Sequence, residues 1–290
     1  MTVTARGQLF VRRMVVGHLA AAAGLINTDG LPGQPPCTVQ SLFDALVGRV
    51  DPDPLGRNDL DTCIDVVGND GIKGLVAYAR RRSEDTGLIL WLHGMEQPGI
   101  IGRLLDHALH QLADCSVVEA FDLPTVLDPL AVPGLAALRR PVTAGALLSR
   151  GFTSRPCGRY LHRRLPSATA RRDEGIRYEL YDGLHQLKVV GPTGATLADA
   201  TLSLPYPRHA VLHWIGVEPE HRRHGLGRRL LHACLQYART LGADQLVCHV
   251  DDHNLAADDD RGRSAAIAMY HRVGFTSVVH LTSYARSRPN

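Results

Sequence analysis

Lysine is nearly missing from this chain. Only Lys73 and Lys188 occur, and the rest of its 32 basic residues are arginine. A phosphate loop ending in Gly-Lys-Ser/Thr is therefore excluded, because neither lysine stands in that setting. Long apolar runs are missing as well. The longest stretches, such as Val15–Ile26, are broken by Gly and His, so no transmembrane helix is expected. The first residues, MTVTARGQLFVRRM, hold no continuous apolar h-region, and no leader peptide is expected. The chain is read as cytoplasmic, without a membrane partner. Its six cysteines form no CxxC pair and none has His at ligand spacing, so free thiols are expected and no metal site. Nor does charge of one sign accumulate. Residues 1–165 carry 17 basic and 16 acidic side chains, and the remainder 15 and 13, for a net charge of +3. A duplex-binding surface is disfavoured, and no nucleic-acid partner is expected.

What is present is ordinary globular usage, 44% hydrophobic and 21% charged, over 290 residues. That length suits about two domains. An internal echo supports the division. Gly151-Phe152-Thr153-Ser154 returns as Gly274-Phe275-Thr276-Ser277. Upstream, Gly102-Arg103-Leu104-Leu105-Asp106-His107-Ala108 resembles Gly227-Arg228-Arg229-Leu230-Leu231-His232-Ala233. Each helical segment follows an apolar strand-like run, Leu88–Leu92 or Val211–Val217. The same order at nearly equal spacing points to duplication. Leu165–Asp173 is polar, carries Pro and small residues, and lacks periodicity. The boundary is placed there, giving domains 1–165 and 166–290.

The stretch with most chemistry is Val217-Glu218-Pro219-Glu220-His221-Arg222-Arg223-His224-Gly225-Leu226-Gly227. The run His209–Val217 leads into it. Behind it Leu226, Leu230, Ala233, Cys234, Tyr237, Ala238 and Leu241 recur at helical spacing, and Gly242 suits a C-terminal cap. A strand–turn–helix unit with glycines in the turn points successive amides at one spot, where the helix end adds positive potential. Such a turn suits a pyrophosphate. Arg222, Arg223 and Arg228 can add charge-assisted contacts. The dinucleotide fingerprint GxGxxG fails here, because Arg228-Arg229-Leu230 follows Gly227.

Arg222-x-x-Gly225-x-Gly227, preceded by Val217-x-Pro219, resembles the coenzyme A turn of the GNAT superfamily of acyl-CoA N-acyltransferases. The family's second landmark, a tyrosine shortly before Gly-Phe, is matched by Tyr270. The resemblance covers residues 176–286, and the repeat extends it to the first half. It implies an α/β (α+β) fold: two GNAT-like domains, each a mixed, mostly antiparallel twisted sheet flanked by helices. It implies acetyl-CoA as cofactor, held by Ile215, Val217, Arg222, Arg223, His224, Gly225, Leu226, Gly227 and Arg228, with no metal. Tyr270 would serve the leaving thiolate. His213, Ile215 and Val217 alternate onto one strand face, and His249 and Asp251 onto another. The base is His213, His249 or a group acting through water.

The copies depart from the family pattern in opposite ways. In the first, Ile100 replaces a turn glycine, Pro98 removes an amide donor, and Leu147 stands in the place of Tyr270. That copy is read as catalytically dead, with a structural or recognition role. Its opening elements are expected over Gln8–Arg13, Val16–Asn27 and Val39–Val50. The second copy has room only for Ile176–Tyr181 before His185, so it lacks most of the first two helices and its acceptor side is either open or covered by the first domain. Arg263 stands where many relatives place Asn, and Asp258-Asp259-Asp260 is either a solvated loop or a lure for a cationic amine.

The reading is an acetyl-CoA-dependent N-acetyltransferase acting by direct attack on a primary amine of a small-molecule or peptide-like acceptor, in antibiotic resistance or natural-product tailoring. The alternatives are a non-catalytic coenzyme A or substrate-binding module, and an enzyme acting on peptide N-termini. The molecule is expected to be a monomer with pseudo-dimeric domains, or a homodimer.

Overall fold

The computed structural model describes residues 9–46, 60–68, 71–81, 84–123, 133–166, 173–251 and 260–288. In chain order the first elements are β1 (Phe10–Arg13), α1 (Leu19–Asn27), α2 (Val39–Leu46), β2 (Leu60–Gly68), β3 (Ile72–Arg81) and β4 (Thr86–His93). They are followed by α3 (Pro98–Gln111), β5 (Val117–Ala120), α4 (Pro141–Leu148) and β6 (Thr153–Arg164). Then come β7 (Ile176–Tyr181), β8 (Leu184–Val190), β9 (Thr196–Tyr206) and β10 (His209–Val217). The last are α5 (Leu226–Thr240), β11 (Gln245–Asp251), α6 (Asp260–Arg272) and β12 (Thr276–Ser287). Among the described residues no helix is long and apolar enough to cross a membrane. None of the six cysteines is in a disulfide, and five are buried.

Two compact units emerge, but not by one cut at 165/166. The first comprises Met1–Gly30, Pro36–Cys157 and His280–Asn290; the second comprises Leu31–Pro35 and Gly158–Val279. The reason is strand choice. In the first unit the order is β1-β2-β3-β4-β5, closed by the C-terminal part of β12, where Tyr284 pairs Ala120 and Ser287 pairs Val117. In the second it is β7-β8-β9-β10-β11, closed by the later part of β6, where Asp251 pairs Gly158 and Gln245 pairs Arg164. Each unit thus includes a strand encoded in the other copy. Sequence order alone does not reveal this, because strand pairing is non-local. Within each sheet one pair is parallel, β4 with β5 and β10 with β11, and the other neighbours are antiparallel.

In the first unit α3 buries Ile100, Ile101, Leu104, Leu105 and Ala108, a helical stripe laid on the sheet. In the second, α5 buries Leu230, Ala233, Cys234, Tyr237 and Ala238 against β8, β9 and β10. Burying such a leucine contributes about 1.5–3 kcal/mol. Tyr237 is a core residue: its hydroxyl lies 3.2 Å from His185 Nδ1, and its ring lies 4.9 Å from that of Tyr178. α5 stops as expected at Gly242, whose φ of +93° no β-carbon favours.

The repeated Gly-Phe is a helix stop. Phe152 N–H donates to Leu147 O at 3.3 Å and Phe275 N–H to Tyr270 O at 3.0 Å. Gly151 N–H donates to Leu148 O at 3.1 Å and Gly274 N–H to His271 O at 2.9 Å. Both glycines have positive φ, +83° and +88°, and both phenylalanines are buried. This paired bond pattern needs glycine and an apolar residue in that order. It also makes Leu147 and Tyr270 equivalent positions of one motif.

β7 runs straight into β8 through Asp182-Gly183, both at positive φ (+49° and +73°), and no helix stands between the two strands. In the first unit the expected opening is present as β1, a 3-10 turn at Val16–His18, α1 and α2.

Candidate active site

In the second unit β10 and β11 pair from His209↔Gln245 to Leu212↔Cys248 and no further. Beyond that point the two strands part, and among the described residues one backbone edge of residues 213–217 has no strand neighbour. A β-bulge at His213 marks the place: Leu212 pairs Leu202, and Trp214 pairs Thr201. The bulge overturns one expectation. Ile215 and Val217 pack with α5 into the core, whereas His213 Nε2 lies 2.7 Å from Ser203 Oγ, on the opposite face. His213 therefore does not share a face with Ile215 and Val217, because the extra residue shifts the alternation. His213 is exposed at the sheet surface, and partial desolvation by the neighbouring chain shifts its pKa below the usual value, which favours the neutral imidazole.

The turn after β10 has the shape its glycines require. Arg223 (φ +67°) and Gly225 (φ +80°) both adopt left-handed backbone. Gly225 caps α5 at its N-terminus, and no side chain fills that cap. The first intrahelical bond is Arg229 N–H to Gly225 O at 3.0 Å, so the amides of Leu226, Gly227 and Arg228 have no helical acceptor. Arg223, His224 and Arg228 are exposed around them, and Leu226 is half-buried. Arg222 braces the turn, its Nε donating to Val217 O at 3.2 Å. A β-carbon on Gly227 would touch Val217 Cγ2 and Met269 Sδ at 3.4 Å, so helix, strand and α6 meet closely there. The cradle fits an anionic diphosphate: outward amides, two free-standing arginines, and no acidic side chain in the first helical turn.

Tyr270 stands on α6, buried, with its ring 5.3 Å from that of Phe275. Its hydroxyl hydrogen-bonds the Cys248 thiol, and Cys248 is the last β11 residue paired to β10. The phenol thus lies beside the point where the strands part. Burial and the neighbouring Cys248 and Cys234 sulfurs hold its pKa well above 10, so it stays protonated. Burial also pushes both thiols up, and neither is a thiolate at neutral pH.

His249 stands on the face opposite Cys248, paired with Tyr160. A β-carbon on Gly158 would come within 2.2 Å of His249 Nε2, so the glycine makes room for the imidazole. Tyr160 is fully buried and donates to Pro32 O at 3.0 Å. A β-carbon on Gly33 would meet His162 Cδ2 at 2.2 Å. Segment Leu31–Pro35 thereby lies on this face of the second unit, a contribution nothing in the sequence signals. Arg229 is held by Asp173 through two hydrogen bonds of 2.7 and 2.6 Å, tying the residues just before β7 to α5. Asn254, Asp258, Asp259 and the side chains of Asp260 and Arg263 lie outside the described residues. Among the described residues no group of three or more metal-ligating side chains converges.

The corresponding region of the first unit is filled. β4 and β5 also part, after Ile89↔Ala120. There Arg140, itself buried, donates to Leu92 O at 2.6 Å and pairs with Glu96 at 3.2 Å and Asp29 at 3.5 Å. Glu96 accepts from the amides of Val142 (2.7 Å) and Thr143 (3.0 Å), capping α4. Ile100 is buried, with Cγ2 2.9 Å from where a β-carbon on Gly94 would sit. Pro98 opens α3, and Leu147 is buried without a polar group.

Comparison with known proteins places this architecture. Residues 171–275 match the model of the acetyltransferase (GNAT) family. A curated relative, a mycothiol acetyltransferase of Thermobispora bispora, is 40% identical over 62 residues, 21% of this chain and 18% of that protein. The match thus spans less than a fifth of that relative's length. Among solved structures, a tandem GNAT protein from the clavulanic acid biosynthesis pathway superposes with a TM-score of 0.69 at 17% identity, covering 98% of this chain and 100% of that one. A GCN5-related N-acetyltransferase from Sphaerobacter thermophilus gives 0.62 at 12% identity, covering 97% and 96%. The fold is that of tandem GNAT proteins.

Proposed function

With residues 171–275 forming an acetyltransferase (GNAT) domain, we propose that the chain transfers an acetyl group from acetyl-CoA to a primary amine, by direct attack within a ternary complex. The observation that carries the reading is a convergence in one unit. An uncapped glycine turn, a parted strand pair and a buried, protonated Tyr270 are all adjacent to the end of β10. The acyl group matches the name of the Thermobispora bispora relative. The first unit takes no part in turnover, because Arg140, Ile100 and Leu147 stand where the second unit has an open edge, glycine and Tyr270.

When bound, acetyl-CoA supplies an activated acyl thioester. The amides of Leu226, Gly227 and Arg228, with Arg223 and Arg228 side chains, hold the diphosphate and so fix the reacting carbonyl. The open backbone edge at Ile215 and Val217 receives the amide-bearing arm. The amine must be neutral to attack. His213 is suited to take its proton, directly or through water, because its lowered pKa keeps it neutral. His249 is the second candidate on the same face. The Tyr270 hydroxyl, retained in the protonated form, would supply a proton to a thiolate leaving group.

Calorimetric titration with acetyl-CoA and thiol release with an amine panel test the proposal. One binding event per chain and amine-dependent thiol release are expected. Binding without release from any amine would mean a binding module instead.

A further inference from the structure

β8, β9 and β10 turn Leu187, Val189, Ala198, Ala200, Leu202, Ile215 and Val217 toward α5. Their other face carries two cross-strand rows. One reads Glu179, Gln186, Thr201, Trp214, and the other Arg177, Lys188, Asp199, Gly216. α5 and α6 both pack their apolar side chains into the core on the far side of the sheet. Trp214 is 58% exposed here, although an indole is a residue that folding usually withdraws from water. Its orientation is nevertheless fixed. Nε1 donates to Asp199 Oδ1 at 3.2 Å, and the ring lies against Gly216, where a β-carbon would come within 2.8 Å of Cζ2. Glycine at 216 is what lets the indole lie there. Lys188 is committed to Glu179 at 2.7 Å, so its cation is neutralised within the row. Next to Trp214 on the bulge is the His213–Ser203 pair.

We propose that Trp214 and Asp199 determine acceptor specificity, and that the acceptor is an amine carried on a polyhydroxylated ring, an aminosugar or aminocyclitol. The inference rests on the acetyltransferase reading above and narrows it. A flat, oriented indole presents an apolar platform to the C–H face of such a ring, and its π face attracts an ammonium. Around it stand hydroxyl, amide, carboxylate and imidazole groups able to exchange hydrogen bonds with ring hydroxyls. The Asp199 carboxylate gives the charge complementarity for an amine that arrives protonated.

The test uses the full chain with D-glucosamine, a tripeptide with a free N-terminus and a simple alkylamine as acceptors. Thiol release and tryptophan fluorescence are the readouts. Only two tryptophans occur, and Trp91 is buried, so a fluorescence change on adding D-glucosamine reports Trp214. D-glucosamine is expected to give the highest kcat/KM. Trp214→Ala should raise its KM about tenfold or more, a loss of roughly one aromatic contact. The KM for acetyl-CoA should stay within about twofold, and Trp214→Phe should keep most of the acceptor affinity. Asp199→Asn should weaken the acceptor likewise. Preference for the tripeptide, or a KM for D-glucosamine indifferent to Trp214→Ala, overturns this inference while leaving the acetyltransferase reading intact. Absence of thiol release with every amine overturns both.

Discussion

Replacing Arg140 by methionine isolates what the closed cleft of the first unit is worth. The guanidinium meets Leu92 O at 2.6 Å, Thr143 Oγ1 at 3.1 Å, Glu96 at 3.2 Å and Asp29 at 3.5 Å. Methionine fills much of the same volume but leaves two half-buried carboxylates, Asp29 and Glu96, without their buried cation. Removing one partner of a buried ion pair costs about 3–5 kcal/mol. For a chain of this size that is a fall in Tm on the order of 10 °C. Urea unfolding followed by circular dichroism measures it. The pH dependence is a second, independent readout. Burial pushes the His93 pKa below its usual value, although Asp29 lies 2.7 Å from Nδ1. Its neutral form is therefore favoured by folding. That contribution is complete above the unfolded value of about 6.5 and is lost as pH falls from there toward the folded value. Asp29 is shifted the other way: His93 and Arg140 overcome its burial and hold the carboxyl below 3.8. Its contribution disappears only in stronger acid. Arg140→Met should therefore be destabilised at neutral pH, yet bind acetyl-CoA with wild-type stoichiometry and affinity. A loss under about 1 kcal/mol would show that the network is worth no more than a surface pair. A second acetyl-CoA site in the variant would refute the assignment of Ile100 and Pro98 as obstructions.

Tyr270→Phe should lower kcat about a hundredfold or more while leaving acetyl-CoA affinity nearly unchanged, as steady-state kinetics and calorimetry will show; parallel losses in both would make the tyrosine structural. Gly225→Ala has open space around the new methyl but forces a β-carbon onto φ +80°, so about 1 kcal/mol of stability should be lost and acetyl-CoA should bind more weakly. A variant as stable as wild type would contradict the strain. Fragments 1–165 and 166–290, expressed apart, should be insoluble or associate when mixed; two well-folded separate monomers would disprove the strand exchange.

The features readable from sequence share a property: each is enforced within a few residues. Gly225 and Gly242 announce positive φ, α5 announces its face by period, and Gly-Phe announces a stop that needs those two residues in that order. What the sequence concealed depends on contacts formed at long range. The bulge at His213 inserts one residue opposite β9 and reverses the alternation, and no residue type marks it. Trp214 reads as one more apolar strand position until the structure shows its indole exposed. Arg140, Glu96 and Asp29 are scattered over three segments, and each alone looks like a surface charge.

The exchanged strands give the first copy a structural part in the second unit's sheet. Left to its own segment, residues 166–290, the second sheet would end at β11, whose outer edge carries His249 and Asp251. An unpaired edge is both mobile and prone to pair with other chains. Pairing with Gly158–Arg164 fixes that edge, and Gly158 is the residue that makes room for the His249 ring. The first sheet has the same need at β5, and Tyr284–Ser287 meets it. Loss of the first copy would therefore remove a strand flanking the candidate base, as well as the Pro32 carbonyl that Tyr160 holds. On this geometry each copy supplies a strand that its counterpart's sheet would otherwise lack.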